Sequence, residues 1–305
     1  MSVFLPLFLK VFPLYALIAL GYIARRYLEI DTRSLVRTVI FLIAPVVVFN
    51  SGFTAPLQSN ILVLPLIFWA TVSVVALLST VVGRFFFKDS TKNLFAFASG
   101  NSNTGYFGLP VILSLLGQDV FTLAVLTSLG SILYENSLGV FLLARGRYSA
   151  KESLKKVLGL PAVYAVLVGL LLNLLGLHTD TTVYTDFIVF FKGAYVVLGM
   201  MIIGCGIASI QKTSFDKTLL TLGFLAKFAL TPLLMALVLW IDSQSGGWLS
   251  AEGRAILWIL SLCPVAANTV AYATELKIHP EKAATLVFLS TIFALFYIPV
   301  MVGLL

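Results

Sequence analysis

Residues 99–110 read SGNSNTGYFGLP, a polar, glycine-rich run that ends in a proline and lies within a mostly apolar stretch. Proline removes a backbone N–H donor and clashes with the preceding helical turn, whereas glycine accepts the φ angles that an unwound backbone requires. We therefore expect the helix that contains this stretch to break near its middle. Few protein environments tolerate a broken helix, so the break restricts the folds that this chain can adopt.

The composition indicates those surroundings. The chain has 305 residues, of which 60% are hydrophobic and 11% charged, whereas soluble chains carry about half apolar and about a quarter charged residues. We expect an all-α integral membrane protein, in which irregular backbone is tolerated only where it is buried in protein or lines a watery cavity. Cys205 and Cys263 lie in apolar stretches and are predicted to be buried core residues, not disulfide or metal ligands.

Hydrophobic runs between polar segments predict ten membrane-spanning helices, since each span needs about 20 mostly apolar residues. The first run is long enough to span and has no small-residue cleavage site after it, so we expect a retained helix and not a signal peptide. The predicted spans are Val3–Ala24, Leu35–Thr54, Ile61–Gly83, Asn93–Gly117, Val120–Ala144, Leu160–Leu177, Phe187–Ser209, Thr218–Ile241, Ala255–Leu276 and Ala283–Leu305.

Lysine and arginine are concentrated in every second connecting segment, and the intervening segments contain neither residue. This asymmetry predicts that the basic segments are cytoplasmic and that both termini lie on the non-cytoplasmic side. The net charge of +7 is therefore a topology signal, and nucleic-acid binding is not expected. The basic residues are Arg25, Arg26, Arg33, Arg37, Arg84, Lys88, Lys92, Arg145, Arg147, Lys151, Lys155, Lys156, Lys212, Lys217, Lys277 and Lys282.

The longest basic connector follows the fifth span and divides the chain into five-helix halves, residues 1–150 and 151–305. Because five is odd, the second half must enter the membrane in the opposite sense. The segment PLYALIALG from Pro13 to Gly21 is echoed by PAVYAVLVG from Pro161 to Gly169. Inverted repeats of this kind are typical of secondary transporters, whose binding sites form at the midplane from broken helices in corresponding positions.

The ninth span is the counterpart of the fourth, and it reads LCPVAANTVAYATEL, with Pro264 and the pair Asn268 and Thr269 in its middle. We expect both spans to break, around residues 103–105 and 267–269, and to lie in contact. Half-helix ends would then present free N–H and carbonyl groups.

The candidate binding residues are the polar and helix-breaking residues of these two stretches. They offer neutral donors and acceptors without a fixed cation beside them, which suits weak, reversible binding of a small mono- or dicarboxylate. Tyr106, Phe107 and Tyr272 are predicted to form aromatic walls. The candidates are Asn101, Asn103, Thr104, Gly105, Pro110, Pro264, Asn268 and Thr269.

Two ionisable residues lie well inside predicted spans, Glu135 in the fifth and Lys227 in the eighth. Each is costly to insert alone, and both lie at similar depth, so we expect them to pair or each to contact another polar group. Either a structural ion pair or a role in proton coupling would explain them. Lys10 and Lys192 lie nearer the outer face, where their side chains can snorkel to the surface; attraction of an anionic substrate by either lysine is the alternative.

The chain resembles the auxin efflux carrier family, most specifically in NTGYFGLP of the fourth span and PVAANTVAYATE of the ninth. The resemblance implies two inverted five-helix repeats with crossed, broken fourth and ninth helices, as in bile-acid symporters and sodium–proton antiporters. It implies a scaffold domain (helices 1, 2, 6 and 7), through which a homodimer could form, and a transport domain (helices 3–5 and 8–10). Elevator-type alternating access follows from it, and the family's two crossing asparagines correspond to Asn103 and Asn268.

The chain departs from plant members of that family in two places. LPAVYAV stands where they carry an asparagine-rich start of the sixth helix, so Ala162 replaces a polar contact, and the central cytoplasmic loop is short. The resemblance therefore implies a bacterial-type permease for small carboxylates in the inner membrane, without a cofactor or metal and with H⁺ or Na⁺ as the candidate coupling ion.

Two other classes of membrane protein are alternatives to such a permease. An intramembrane enzyme would need a catalytic set within the spans, but His178 and His279 are predicted to lie in loops and no span holds an acidic pair. A sodium-coupled carrier of the bile-acid-transporter type shares the crossed-helix fold and stays open.

Overall fold

A computed structural model describes residues 4–54, 63–117, 119–177, 181–208 and 215–302, without the side chains of residues 4–12, 14, 106, 114 and 122. The described chain is helical, and its β-type pairing is a single isolated bridge. Helical segments lie at all ten predicted positions. His178, the side chains of Lys10 and Tyr106, and some of the predicted span limits (Val3, Ile61, Ser209 and Leu305) lie outside the described residues.

We number the helical segments by the predicted spans. A short amphipathic helix, Ala150–Leu158, precedes the sixth; it starts at Ser149, whose side chain and that of Glu152 form a capping box. The segments are α1 (Phe4–Tyr27), α2 (Thr32–Phe53), α3 (Val63–Phe86), α4a (Thr91–Gly100), α4b (104–116), α5 (121–144), α6 (Pro161–Leu174), α7 (Thr182–Ala208), α8 (Lys217–Gln244), α9a (Ala251–Ser261), α9b (Asn268–Leu276) and α10 (Pro280–Val302).

The lengths and surfaces of these helices fit a membrane protein. Among the described residues, six helices are long and apolar enough to cross a bilayer, or seven if the bent pair Ala150–Leu158 and α6 forms one span. Large apolar side chains such as Leu174, Val183 and Phe190 are exposed on the outside, where lipid would cover them. The all-α membrane fold is confirmed, and the count of ten spans stays a prediction, since α1 is not among these helices and the half-helices of α4 and α9 are too short to be recognised singly.

Three prolines inside helices are each preceded by a π-helical turn. The turns Val39–Ile43, Thr104–Gly108 and Ala226–Leu230 end two residues before Pro45, Pro110 and Pro232. Proline cannot donate the regular helical hydrogen bond, and the wider turn absorbs that defect without ending the helix. A fourth π-turn, Glu135–Gly139 in α5, has no proline after it.

The breaks in α4 and α9 are confirmed, but they begin earlier than predicted. The backbone is non-helical at residues 101–103 and 262–267, whereas the predicted breaks covered 103–105 and 267–269. Thr104 and Gly105 are already helical because the π-turn before Pro110 accommodates the proline, and Asn268 and Thr269 form the first turn of α9b.

Glycines bring α1 and α7 into backbone contact. A Cβ atom on Gly21 of α1 would overlap the backbone of Met201, and one on Gly204 of α7 would overlap that of Ile18. Close approach through small residues is the usual way in which membrane helices associate, because burial against lipid offers no hydrophobic gain.

The same contact recurs between α6 and α2. A Cβ atom on Gly169 of α6 would overlap the backbone of Phe49, and one on Gly52 of α2 would lie 2.8 Å from the carbonyl oxygen of Val166. Gly169 is the residue that echoes Gly21 in the sequence repeat. In two five-helix repeats α1 corresponds to α6 and α2 corresponds to α7, so the α1–α7 contact has the α6–α2 contact as its counterpart. The division at residue 150 stays a prediction.

We predict that Gly204→Ala and Gly169→Ala each destabilise the protein, by about 1–3 kcal/mol or more, because the added methyl group forces two backbones apart. Thermal unfolding of the detergent-purified protein measures the effect. Gly193→Ala is the matched control on α7, since its Cβ would meet nothing within 4 Å. Equal melting temperatures for Gly204→Ala and Gly193→Ala would contradict the close packing.

Candidate functional site

The two breaks satisfy each other's backbone. The Asn103 N–H donates to the carbonyl of Pro264 (2.9 Å), and the Ala266 N–H donates to the carbonyl of Asn101 (3.0 Å). These bonds flank an antiparallel bridge between Ser102 and Val265. An unpaired backbone group in lipid costs several kcal/mol, on the order of the loss of a full hydrogen bond, so the pairing makes the two breaks mutually dependent.

Side chains from three further helices hold this crossing. Ser131 of α5 donates its hydroxyl to the carbonyl of Ser102 (3.0 Å), and the Val265 N–H donates to Ser290 Oγ of α10 (3.2 Å). Lys227 of α8 donates its ammonium group to Ser102 Oγ. A conformational change in α4 would therefore be transmitted to α5, α8 and α10.

Four of the predicted binding residues belong to the interior of the crossing instead of a ligand cavity. Asn101 and Thr269 are fully buried, and Asn101 Nδ2 donates to Thr269 Oγ1 (3.2 Å). Pro264 supplies the carbonyl that Asn103 uses, and Pro110 lies in the first turn after the π-turn of α4b. None of the four lines the large cavity beside the crossing.

That cavity has a volume of about 440 Å³ and contains the other predicted residues in its wall. Asn103, Thr104 and Gly105 line it from α4, Asn268 from α9b, and Glu135 from α5. A Cβ built on Gly105 would meet nothing within 4 Å, so this glycine faces open space. The structure thus brings five of the ten candidate residues to one cavity.

The sequence did not identify the polar residues on the opposite walls. Their positions within otherwise apolar spans are the signal that was available, but single serines and asparagines in membrane helices often bond only to their own backbone. The added polar lining comes from Asn50, Ser51 and Thr54 of α2, Ser128, Ser131 and Asn136 of α5, and Lys192 and Tyr195 of α7.

Lys192 corrects the expectation that no fixed cation lies beside the site. It is exposed and lines the cavity together with Asn103 and Glu135. An ammonium group in this wall attracts an anionic ligand and supplies up to three donors.

A hydrogen-bond chain connects the cavity wall across three helices. Asn268 Nδ2 of α9b donates to Glu135 Oε1 of α5 (2.9 Å) and to the Tyr195 hydroxyl of α7 (2.6 Å). Next to it, the Tyr272 hydroxyl donates to Asn136 Oδ1 (2.8 Å). Asn268 is therefore the polar link between the crossing and α7.

The pairing of Glu135 with Lys227 is not found. Glu135 is held by Asn268, whereas Lys227 is fully buried and bonds to Ser102, and no ion pair within 4 Å joins the two side chains. The other expectation holds, because each contacts another polar group of the crossing. The two residues have different partners, Ser102 for Lys227 and Asn268 for Glu135, which similar depth in the membrane could not show.

The described residues that were predicted to form aromatic walls do not line this cavity. Phe107 is fully buried in the core, and Tyr272 is buried against Asn136, so neither lines the large cavity. Phe121 and Tyr195 line it instead. Cys205 and Cys263 are buried, as predicted. No group of His, Cys, Asp or Glu that could hold a metal ion occurs in the described part of the chain.

Comparison with known proteins gives two matching families and one relative. Residues 6–157 match the family described as membrane transport protein, and residues 193–305 match the sodium/bile acid symporter family. An uncharacterized transporter of Methanothermobacter thermautotrophicus is 25% identical over 291 residues, which cover 93% of each chain. Both families are transporter families and not enzymes, so the resemblance drawn from the sequence is confirmed.

We predict that Gly105→Leu leaves the melting temperature unchanged but reduces transport, because its side chain would occupy the cavity. Gly100→Ala provides the contrast in the same span, since its methyl group would overlap the ring of Tyr134 and should lower the melting temperature. The two are compared by thermal unfolding and by uptake into proteoliposomes. Full transport by Gly105→Leu would show that the substrate does not pass this residue.

Proposed function

We propose that this membrane transporter carries a small organic anion by elevator-type alternating access through the cavity beside the crossing. The observation that carries this proposal is the lining of that cavity, which includes the polar residues Asn103, Thr104 and Asn268 and the basic residue Lys192.

The size and polarity of the cavity support a small organic substrate. Its volume of about 440 Å³ falls in the range of about 300–1,000 Å³ that is usual for small-molecule sites. Phe121 and Val125 offer apolar surface for an organic body, whereas the polar groups suit an anionic head. A single lysine without an arginine pair favours binding that is readily reversed, which a carrier requires.

The packing supports a division into two domains. The glycine contacts join α1 to α7 and α2 to α6, and these four helices form the proposed scaffold. The remaining helices surround the crossing and form the proposed transport domain. Polar contacts join the two, among them the Tyr195 hydroxyl with Asn268 and the ion pair of Arg37 with Glu275 (3.5 Å).

The cavity opens to the non-cytoplasmic side in the proposed orientation. Its wall uses the last turns of α2 up to Thr54 and the first turns of α5 from Phe121, and the positive-inside rule assigns both of these ends to the outside. The Arg37–Glu275 pair lies at the basic, cytoplasmic end of α2 and α9b, where it would close the inner side in this state. We also propose an inner-membrane location and a homodimer through the scaffold.

A sodium-coupled carrier is the second candidate, because the second half of the chain matches the sodium/bile acid symporter family. Lys227 argues against a sodium ion at Ser102, since its side-chain nitrogen already occupies the position next to Ser102 Oγ. We therefore expect uptake to persist when choline replaces sodium in the buffer. Uptake that stops without sodium would favour the second candidate.

We predict that Asn103→Ala and Asn268→Ala abolish transport and leave folded yield unchanged, because both side chains line the cavity. Asn101→Ala is the matched control from the crossing: loss of its bond to Thr269 should lower stability by about 1–2 kcal/mol. Uptake of acetate, lactate, malonate and succinate into proteoliposomes measures activity, with glucose and choline as non-anionic substrates. Full activity in either cavity variant removes that asparagine from the site, and a preference for glucose or choline overturns the anion assignment.

A further inference from the structure

The short helix between α5 and α6 lies at the edge of the membrane. This connector helix, Ala150–Leu158, follows the end of α5 and precedes the start of α6, so it lies at the membrane face that those two ends share. Its axis is bent by 52° from that of α6. Lysine or glutamate occupies four of its nine positions, which is too many charges for the hydrocarbon core. The connector helix therefore lies at the boundary between lipid and water.

One face of the connector helix is apolar and uncovered by protein. Ser153 and Val157 turn toward the protein and are buried. Leu154 and Leu158 each follow one of these residues, so they project about 100° further around the helix. Their side chains are 51% and 50% exposed. Two leucines that flank the protein contact at this level favour insertion into the membrane interface, because insertion removes their apolar surface from water.

A basic face lies next to these leucines. Lys151 and Lys155 are exposed and four residues apart, so they share one face of the helix. That face lies beyond the leucines, on the side away from the protein contact. A lysine side chain can keep its ammonium group among the lipid phosphates while a neighbouring leucine reaches deeper. The order from protein to leucine to lysine is that of a helix that lies in a membrane interface.

The positive charge around the connector helix is not neutralised within the described protein. Residues 145–158 contain five lysines and arginines and one glutamate. Among the described side chains, none of these five takes part in an ion pair within 4 Å. The glutamate, Glu152, accepts the Ser149 N–H (2.9 Å) as part of the helix cap. A cluster of about four to eight basic residues directly after a membrane-crossing helix is typical of sites for anionic lipid headgroups.

We propose that the connector helix is a docking surface for anionic phospholipid. Lys151 and Lys155 bind the headgroup phosphate through charge-assisted hydrogen bonds, and Leu154 and Leu158 pack against the acyl chains. The surface combines a cationic and an apolar part, so its occupant carries a phosphate and a hydrocarbon chain on one molecule. This inference goes beyond the proposed transport function and does not depend on what the cavity carries.

Short-chain lipids test the proposal on the detergent-purified full-length protein. Dioctanoyl phosphatidylglycerol is the anionic probe, dioctanoyl phosphatidylcholine has the same chains without net charge, and glycerol phosphate has the charge without the chains. Thermal unfolding measures binding, because a ligand of the folded state raises the melting temperature. We expect phosphatidylglycerol to act at concentrations at least about tenfold lower than phosphatidylcholine. Glycerol phosphate should leave the melting temperature unchanged.

Two double variants that remove the same charge locate the binding. Lys151→Gln with Lys155→Gln should weaken the binding of phosphatidylglycerol by at least about tenfold, because both phosphate contacts are lost. Lys156→Gln with Lys217→Gln is the matched control and should keep the affinity of the unsubstituted protein. Lys156 lies on another side of the connector helix, 4.9 Å from the centre of the Tyr148 ring, and Lys217 is an exposed residue at the start of α8.

A variant of the apolar face provides an independent measurement. Leu154→Ser with Leu158→Ser should keep the melting temperature that the protein has without lipid, since both side chains are half exposed. It should weaken the binding of phosphatidylglycerol at least about fivefold, because the acyl chains lose their contact. This result stays informative if the lysine double variant fails to fold.

Each other outcome contradicts the proposal. Equal effects of phosphatidylglycerol and phosphatidylcholine, or equal losses in the two lysine double variants, would show that binding does not use this face. A melting shift with glycerol phosphate alone would assign the lysines to a soluble phosphate compound. Dimerisation that the Lys151→Gln and Lys155→Gln pair abolishes in the absence of lipid would assign the surface to a second copy of the chain.

Discussion

The structure depends on the mutual pairing of two unwound backbone segments inside an apolar protein. Each segment alone would leave N–H and carbonyl groups unsatisfied at a depth where water is scarce. Residues 101–103 and 264–266 remove that cost by bonding to each other across an antiparallel bridge. Neither helix can therefore unwind without the other, and polar side chains are concentrated at the two unwound segments.

The crossing also determines where the polar side chains around it point. Asn101 and Thr269 bond to each other in the interior, whereas Asn103, Thr104 and Asn268 line the cavity. Lys227 donates a hydrogen bond from the protein interior to Ser102 in the unwound segment, and the cavity has a separate lysine on α7. Interior and cavity-lining positions are thus divided between Asn101 and Asn103, which are two residues apart, and between Thr269 and Asn268, which are adjacent.

The sequence predicted the elements of this arrangement more successfully than their contacts. Matched proline and Asn-Thr patterns located both breaks to within a few residues, because proline and glycine act locally on the backbone. The exact onset was missed because a π-turn absorbed Pro110. The proposed Glu135–Lys227 pair failed for a different reason: similar depth in the membrane says nothing about which side of the crossing a side chain occupies.

The sequence by itself determined that the chain is an all-helical membrane protein of a transporter family, where its helices lie and which two break, since hydrophobicity, charge bias and helix-breaking residues are local properties. Only the tertiary structure decided which polar residues meet. The sequence predicts that the side chain of Lys192 extends to the outer surface, yet Lys192 lines the same cavity as Glu135 and Asn268 from two other helices. Such meetings depend on the rotation and packing of helices distant in the chain, and glycine contacts such as that of Gly204 with α1 set both.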